Sequence, residues 1–366
     1  MNQNVLRKYI GTKEFYKMVL LVVIPIIIQN GITNFISLLD NIMVGQVGTE
    51  QMSGVAIVNQ LIVVFNICVF GGVSSAGIFT AQYYGQGNRE GVRNTFRFKF
   101  LVCMLMAVVA MGLFFFFGED LIMLYLHEGS QEGDIGKTLQ FGKEYLSVIM
   151  IGLIPYAISQ TYASTLRETG ETLVPMKIGI VAVLLNMVGN FFLIFGSFGA
   201  PKLGAIGAAI STDIARFAEC FILIYWTHKN RERHNFIVGA YASMRIPKVL
   251  TLEIIKKGIP LLLNEAAWSI GQAFLMQCYS VRGLAVVAGL NISSTVSNLF
   301  NVVFLSMGSA IAILVGQLLG AGKMEEAKDT DRKLLVFTVG TCVIFGSLLA
   351  IISPFFPKIY NTSNNV

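Results

Sequence analysis

The sequence predicts an all-α polytopic membrane protein with two parallel, pseudo-symmetric helical repeats, the second of them incomplete. Three observations predict this fold class. Charged residues make up 13% of the chain and hydrophobic residues 54%, whereas soluble domains average about 25% charged residues. The apolar residues are gathered into nine blocks, each near the length of about 20 residues that crosses the hydrocarbon core. The C-terminal part also repeats the N-terminal part at a constant offset.

The apolar blocks are too long and too uniform for the strands of a membrane barrel, which alternate apolar and polar residues. A helix bonds its own backbone amides, so each block is expected to be a transmembrane helix. The five cysteines fall inside the blocks, which favours small buried residues over a disulfide framework. The blocks lie near 18–44, 53–79, 100–117, 139–165, 174–196, 203–227, 256–281, 284–315 and 333–353.

The basic residues are distributed unevenly between the two sides of these blocks. The N-terminal tail and every second connection hold 21 of the 27 lysines and arginines. Cytoplasmic loops carry such an excess, so the N-terminus is expected in the cytoplasm of a multi-pass protein of the plasma membrane. The net charge of +6 therefore reflects membrane topology, and no nucleic-acid partner is expected.

The internal repeat has an offset of 235 residues, the distance from Pro25 to Pro260. Six helices separate matching points, so the repeats are parallel, as in many secondary transporters. We predict an N-lobe of six helices at 1–228, a solvated cytoplasmic linker at 229–253 and a partial C-lobe of three helices at 254–366. The other matches are Phe65-Asn66 with Phe300-Asn301, the Q-x-x-G-x-G turns at 82–87 and 317–322, Glu90 with Glu325, and Tyr125 with Tyr360.

Several motifs, taken in order, resemble the multidrug and toxic compound extrusion (MATE) family. That resemblance implies a twelve-helix antiporter that exchanges sodium ions or protons for organic cations and other drugs. Asn190 departs from the pattern, because some prokaryotic members have an aspartate there in their cation site. The motifs are Pro25 with Asp40-Asn41-Ile42-Met43-Val44-Gly45, the two Q-x-x-G-x-G turns, Leu166-Arg167-Glu168-Thr169-Gly170, Asn186-Met187-Val188-Gly189-Asn190, Gly207-Ala208-Ala209-Ile210-Ser211-Thr212, and Gly258-Ile259-Pro260 with Glu265.

Ionisable groups inside membrane segments are costly, and they are functional candidates by default. We hypothesise that Asp40, toward the outer end of the first helix, is the coupling carboxylate; the alternative is a helix-end acid facing water. Asn186 and Asn190 are four residues apart and share one helix face. With Thr212 and Asp40 they are expected to form an oxygen-rich pocket for cation coupling. Hydrogen bonding between the helices is the other interpretation of these polar side chains.

A second group of charges falls on the sixth predicted helix. Asp213, Arg216 and Glu219 follow at i, i+3 and i+6, so a buried charge network with a structural role is predicted, and a role in coupling is the lesser interpretation. Glu265 in the seventh helix is expected to contribute to cation or substrate binding in the C-lobe. Otherwise it is a partner for Arg282 or for an amide.

The sequence therefore predicts a multidrug exporter that works by cation–drug antiport with alternating access. Its expected partners are small organic cationic or amphipathic drugs and the lipid bilayer, and a full-length chain is expected to be monomeric. No catalytic constellation, metal-ligand spacing or nucleotide motif is found, so we expect neither an enzyme nor a cofactor beyond the coupling Na⁺ or H⁺. The alternatives are a lipid-linked oligosaccharide flippase of the same superfamily, a membrane enzyme, and a truncated product that does not transport.

Overall fold

The computed structural model describes residues 9–126, 134–199, 201–280 and 284–352. The regular structure in these ranges is helical. The α-helices are α1 (Lys13–Gly45), α2 (Thr49–Gly85), α3 (Arg89–Met123), α4 (Ile135–Ile149), α5 (Leu153–Glu168), α6 (Leu173–Phe195), α7 (Ala205–Lys229), α8 (Lys248–Ser280), α9 (Leu284–Gly320) and α10 (Met324–Ile352). This confirms the all-α prediction for the described part of the chain.

Seven helical segments among the described residues are long and apolar enough to cross a membrane. One of them, Ile135–Glu168, consists of α4 and α5 joined by the 3-10 turn Met150–Gly152. Two further helices, α7 and α8, also coincide with predicted blocks. The 25 residues of α7 span about 37 Å at 1.5 Å per residue, but four charged side chains lower its hydropathy.

The repeated Q-x-x-G-x-G turns end α2 and α9 in the same way. After α2, the Asn88 amide bonds the Tyr83 carbonyl at 2.9 Å and the Gly87 amide bonds the Tyr84 carbonyl at 3.0 Å. After α9, the Lys323 amide bonds the Leu318 carbonyl and the Gly322 amide bonds the Leu319 carbonyl, both at 3.1 Å. This is a Schellman cap, which requires a left-handed residue. Gly87 and Gly322 supply it at φ 69° and 73°, which explains the last glycine of each motif.

The other glycine of each motif lets α2 and α9 cross at close range. A Cβ atom on Gly85 would overlap the carbonyl oxygen of Gln317, and one on Gly320 would overlap that of Gln82. The 235-residue offset relates Gly85 to Gly320 and Gln82 to Gln317, so the two contacts are equivalent. The same repeat relates a second pair of contacts. Helix α2 packs against α8, and the equivalent helix α9 packs against α1. The predicted parallel repeat is therefore confirmed in the described helices.

Substituting Gly85 by alanine is expected to destabilise the protein by about 1–3 kcal/mol, the usual cost of overpacking. The new methyl group would meet backbone atoms, which cannot rotate away. Thermal unfolding in detergent measures the effect, and Gly320→Ala is expected to match it. Gly112→Ala is the control, because nothing lies within 4 Å of a Cβ there. If Gly85→Ala proved as stable as the control, the close crossing would be wrong.

Pro25 interrupts the hydrogen bonding of α1 without leaving a carbonyl unpaired. Proline has no amide hydrogen, so the Leu21 carbonyl, four residues earlier, loses its helical donor. The Thr172 hydroxyl, at the start of α6, donates to that carbonyl at 3.3 Å. A neighbouring helix thus satisfies the freed group, as membrane helices require.

The segment between α7 and α8 is more buried than a solvated linker. Phe236, Ile237 and Ala240 are all at most 4% exposed, and Arg97 of α3 donates to the Gly239 and Ala240 carbonyls at 2.7 and 2.8 Å. The sequence analysis predicted a solvated segment because charged residues are concentrated near its start. The segment is also shorter than predicted, since α8 begins at Lys248.

Candidate functional site

The four predicted cation-coupling residues meet where α1, α6 and α7 come together. Asn190 donates from Nδ2 to Asp40 Oδ1 at 2.5 Å and to Asn186 Oδ1 at 3.4 Å. Asn186 in turn donates from Nδ2 to Thr212 Oγ1 at 3.0 Å. One chain of hydrogen bonds therefore runs from the carboxylate of α1 through both amides of α6 to the hydroxyl of α7.

Small residues bring α6 and α7 close enough for this arrangement. A Cβ on Gly189 would overlap the Ser211 side chain, and one on Gly207 would lie within 2.5 Å of the Leu193 carbonyl oxygen. Ser211 uses this proximity to donate to the Asn186 carbonyl at 2.7 Å. Gly-rich faces of this kind let membrane helices approach through their backbones. They hold Asn186 and Thr212 at hydrogen-bonding distance.

The site contains a buried oxygen that has no hydrogen-bond partner among the described side chains. Asn190 is 0% exposed and Asn186 6% exposed, and the oxygen in question is Asn190 Oδ1. An unpaired buried acceptor costs about 1–3 kcal/mol, so such an atom calls for an explanation. Carboxylate, amide and hydroxyl oxygens are the ligands that hard cations take. The donor set of Asp40, Asn190 and Thr212 therefore fits a sodium ion, although it offers only one carboxylate.

A cavity of about 330 Å³ borders the site, between α1, α2, α4 and α7. Asp40 and Thr212 line it, together with Asn59, Asn66 and Tyr145, none of which the sequence analysis named as a site residue. The Tyr145 hydroxyl donates to Asn59 Oδ1 at 3.4 Å. Two asparagines seven residues apart in an apolar block share a helix face, and that signal could have identified them. Nothing in the sequence distinguishes Tyr145.

Asp213 and Arg216 of the predicted charge network lie close together, since both side chains border Gly152. None of the ion pairs among the described residues joins Asp213, Arg216 or Glu219. Arg216 instead lies over the ring of Tyr156, 5.3 Å from its centroid, and also lines the cavity that Asp40 borders. Asp213 is 7% exposed and abuts Gly152, where a Cβ would overlap its Oδ1. A shared role for the three residues stays a prediction.

The buried ion pair of the described region is one that the sequence analysis missed. Lys99 of α3 is 0% exposed and bonds the carboxylate of Glu168 at the end of α5. The Ser164 and Thr165 hydroxyls each accept from Lys99 Nζ at 3.3 Å. Lys99 lies just before the predicted block 100–117 and is therefore one of the 21 basic residues assigned above to the tail and connections. Its position within α3 puts it inside the protein.

The last predicted site residue, Glu265, falls within α8. Its side chain lies outside the described part of the structure. A role for Glu265 therefore stays a prediction.

Comparison with known proteins agrees with this architecture. The MatE family model matches residues 25–192 and 260–366, two segments that begin at Pro25 and Pro260. The probable multidrug resistance protein NorM of Thermotoga maritima is 26% identical over 348 residues, covering 94% of this chain and 71% of that protein. The NorM protein of the same description from Bacillus licheniformis is 26% identical over 334 residues, covering 90% and 71%.

Solved structures show the same fold over part of their length. A multidrug resistance MATE family transporter of the MOP superfamily, in an outward-facing conformation, aligns with a TM-score of 0.81 at 17% identity. The alignment covers 98% of this chain and 76% of that chain. A MOP superfamily transporter from Pyrococcus furiosus aligns with a TM-score of 0.79 at 17% identity, covering 100% and 77%.

The fold and the polar site inside it define a multi-pass helical membrane transporter. With the family model matching most of its length, the chain belongs to the MatE family of multidrug efflux transporters, which are not enzymes.

Proposed function

We propose that this protein exports cationic or amphipathic organic compounds in exchange for a sodium ion or a proton. The observation that carries the proposal is the hydrogen-bonded chain from Asp40 through Asn190 and Asn186 to Thr212. It places one carboxylate among three helices, together with a buried oxygen that has no partner among the residues described in the structure. Either cation would neutralise Asp40 there, and the buried environment makes that neutralisation energetically large.

The position of the site on α1, α6 and α7 supports a role in coupling. A cation bound among three helices changes the forces between all of them, because each contributes part of the hydrogen-bonded chain. A ligand shifts a conformational equilibrium only through its different affinity for the two states. Neutralisation of Asp40 supplies such a difference, and alternating access between two lobes would convert it into transport.

A second cavity supports binding of an organic cation. It has a volume of about 180 Å³ and lies between α2, α5 and α9, at the interface of the two proposed lobes. Phe70 and Tyr156 supply aromatic rings, whose faces attract organic cations. Glu168 also lines the cavity, but its carboxylate is paired with Lys99, and Arg167 adds a positive charge to the lining. We propose that Glu265, on the neighbouring α8, adds to this binding in the C-lobe.

The topology completes the proposal. The N-terminal lobe would be 1–228 and the C-terminal lobe 254–366, with the N-terminus in the cytoplasm because the lysines and arginines concentrate on that side. Asp213, Arg216 and Glu219 would serve the fold of α7 by lowering the cost of its buried charges.

Transport in reconstituted vesicles tests the proposal. Vesicles would carry ethidium as the organic cation and an imposed sodium gradient or pH gradient, with fluorescence reporting its movement. We expect movement of ethidium driven by one of the two gradients and abolished by an ionophore that dissipates it. The proposal fails if neither gradient moves ethidium, or any of several organic cations, through protein that is folded in the vesicles.

A further inference from the structure

A groove between the start of α1 and the start of α6 has two chemically different ends. Its volume is about 640 Å³, and it is open to the surroundings of the helices. The side chains of Lys13 and Lys17 line one end, beside Tyr16, and contribute mainly their apolar stems to the lining. The lining of the rest is apolar, from Leu20, Leu21 and Ile24 of α1 and from Leu173 of α6.

The spacing along α1 arranges these side chains in one stripe. Lys13 and Lys17 are four residues apart, and the apolar positions continue at spacings of three and four. From Lys13 to Ile24 the helix rises about 16 Å at 1.5 Å per residue. One leaflet of a bilayer contributes about 15 Å of hydrocarbon. The groove is therefore about as long as one leaflet is deep, with its charges at one end.

The charges of the groove have no ion-pair partner in the part of the chain that the structure describes. Lys13 and Lys17 join none of the ion pairs among the described residues, and no carboxylate lines the groove. Leu21 and Ile24 remain exposed at 56% and 44%. A ligand that complements both ends needs an anionic group near the ammonium groups and a hydrocarbon chain beside the leucines. The cationic compounds proposed as transport substrates would be repelled by the lysines.

We propose that this groove binds an anionic membrane phospholipid. Its phosphate lies between the ammonium groups of Lys13 and Lys17, and an acyl chain follows Leu20, Leu21 and Ile24. Basic pockets between membrane helices recognise lipid headgroups in this way. The bound lipid would fasten α1 to α6 where Thr172 already bonds the Leu21 carbonyl. It would thus stabilise the two helices that carry Asp40 and Asn190. This inference goes beyond the proposed transport activity and does not depend on it.

Native mass spectrometry of the detergent-purified protein tests the site. The probes are phosphatidylglycerol and phosphatidylcholine with identical acyl chains, added at equal concentration. The wild type is expected to retain phosphatidylglycerol selectively. The double variant Lys13→Gln/Lys17→Gln is expected to lose about thirtyfold in affinity for it, roughly fivefold for each ammonium group removed. Both lysines are exposed, so the variant should remain folded.

A matched control separates the groove from general surface charge. Lys256→Gln/Lys257→Gln removes two exposed lysines from α8 and is expected to leave phosphatidylglycerol binding unchanged. Equal losses in both double variants would overturn the proposal, as would full retention in Lys13→Gln/Lys17→Gln. Glycerol phosphate, which has no acyl chain, is expected not to compete. Competition by it at the lipid's own concentration would overturn the apolar half of the site.

Discussion

Replacing Asp40 by asparagine is expected to reduce ion-driven export about 10- to 100-fold. The change keeps the shape of the side chain but removes its charge and its ability to take up a proton. Hydrogen bonds and ligand contacts to a charged group contribute roughly 1.5–3 kcal/mol, which corresponds to that range. The hydrogen bond that Asn190 donates to Asp40 fixes the position of this carboxyl group in the site. An amide at position 40 would leave the cation without its only carboxylate there.

The measurement is the rate of organic-cation movement in vesicles under each imposed gradient. Asp120→Asn is the matched control, because Asp120 is an exposed carboxylate of α3. It undergoes the same chemical change away from the site, so wild-type rates are expected. Binding of the organic cation measured without a gradient should change little in Asp40→Asn. Full gradient-driven export by Asp40→Asn would remove this residue from the coupling mechanism.

The residues of the polar site could be predicted from the sequence because each of them stands out within a single apolar block. Asn186 and Asn190 stand four residues apart in an apolar block, and helical periodicity alone puts them on one face. Asp40 and Thr212 stand out as polar groups in other blocks. The structure joins all four by hydrogen bonds. Their part in coupling remains our proposal.

Contacts between helices that are far apart in sequence could not be predicted in this way. The partner of Lys99 lies 69 residues away, and no periodicity within α3 or α5 pairs them. Charge counting treated Lys99 as part of a connection because three arginines precede it closely in sequence and the predicted block begins only at residue 100. The sequence analysis also did not identify the break at Met150–Gly152 between α4 and α5, because it lies in the uninterrupted apolar run 148–155 of its block. Pairing across helices depends on tertiary packing, which composition and spacing do not encode.

The buried ion pair of Lys99 and Glu168 leads to the largest expected change in stability. Breaking a buried pair from one side leaves an uncompensated charge and typically costs about 3–5 kcal/mol. Lys99→Met is therefore expected to lower the free energy of unfolding by about that amount. Glu168→Met is expected to be similarly costly, because a fully buried ammonium group would remain with only the Ser164 and Thr165 hydroxyls.

The double variant distinguishes an ion pair from mere packing. Lys99→Met/Glu168→Met removes both charges, so it is expected to be more stable than either single variant, with a coupling energy of several kcal/mol. The Lys143–Glu119 pair is the matched control, with an N–O distance of 2.5 Å but side chains 49% and 57% exposed. Methionine at both of its positions should show a coupling of at most about 1 kcal/mol, because water screens exposed pairs.

Equilibrium unfolding in mixed micelles provides the free energies for both cycles. Equal coupling in the two cycles would show that burial does not strengthen the Lys99–Glu168 interaction, and the assignment of a buried pair would then be wrong. A strong coupling carries a further consequence. Glu168 also offers its backbone carbonyl to the Gln317 side chain of α9 at 2.8 Å. The pair therefore fixes the end of α5 at the place where the two repeats touch. Loss of the pair should loosen the crossing of α2 and α9 as well as the first repeat itself.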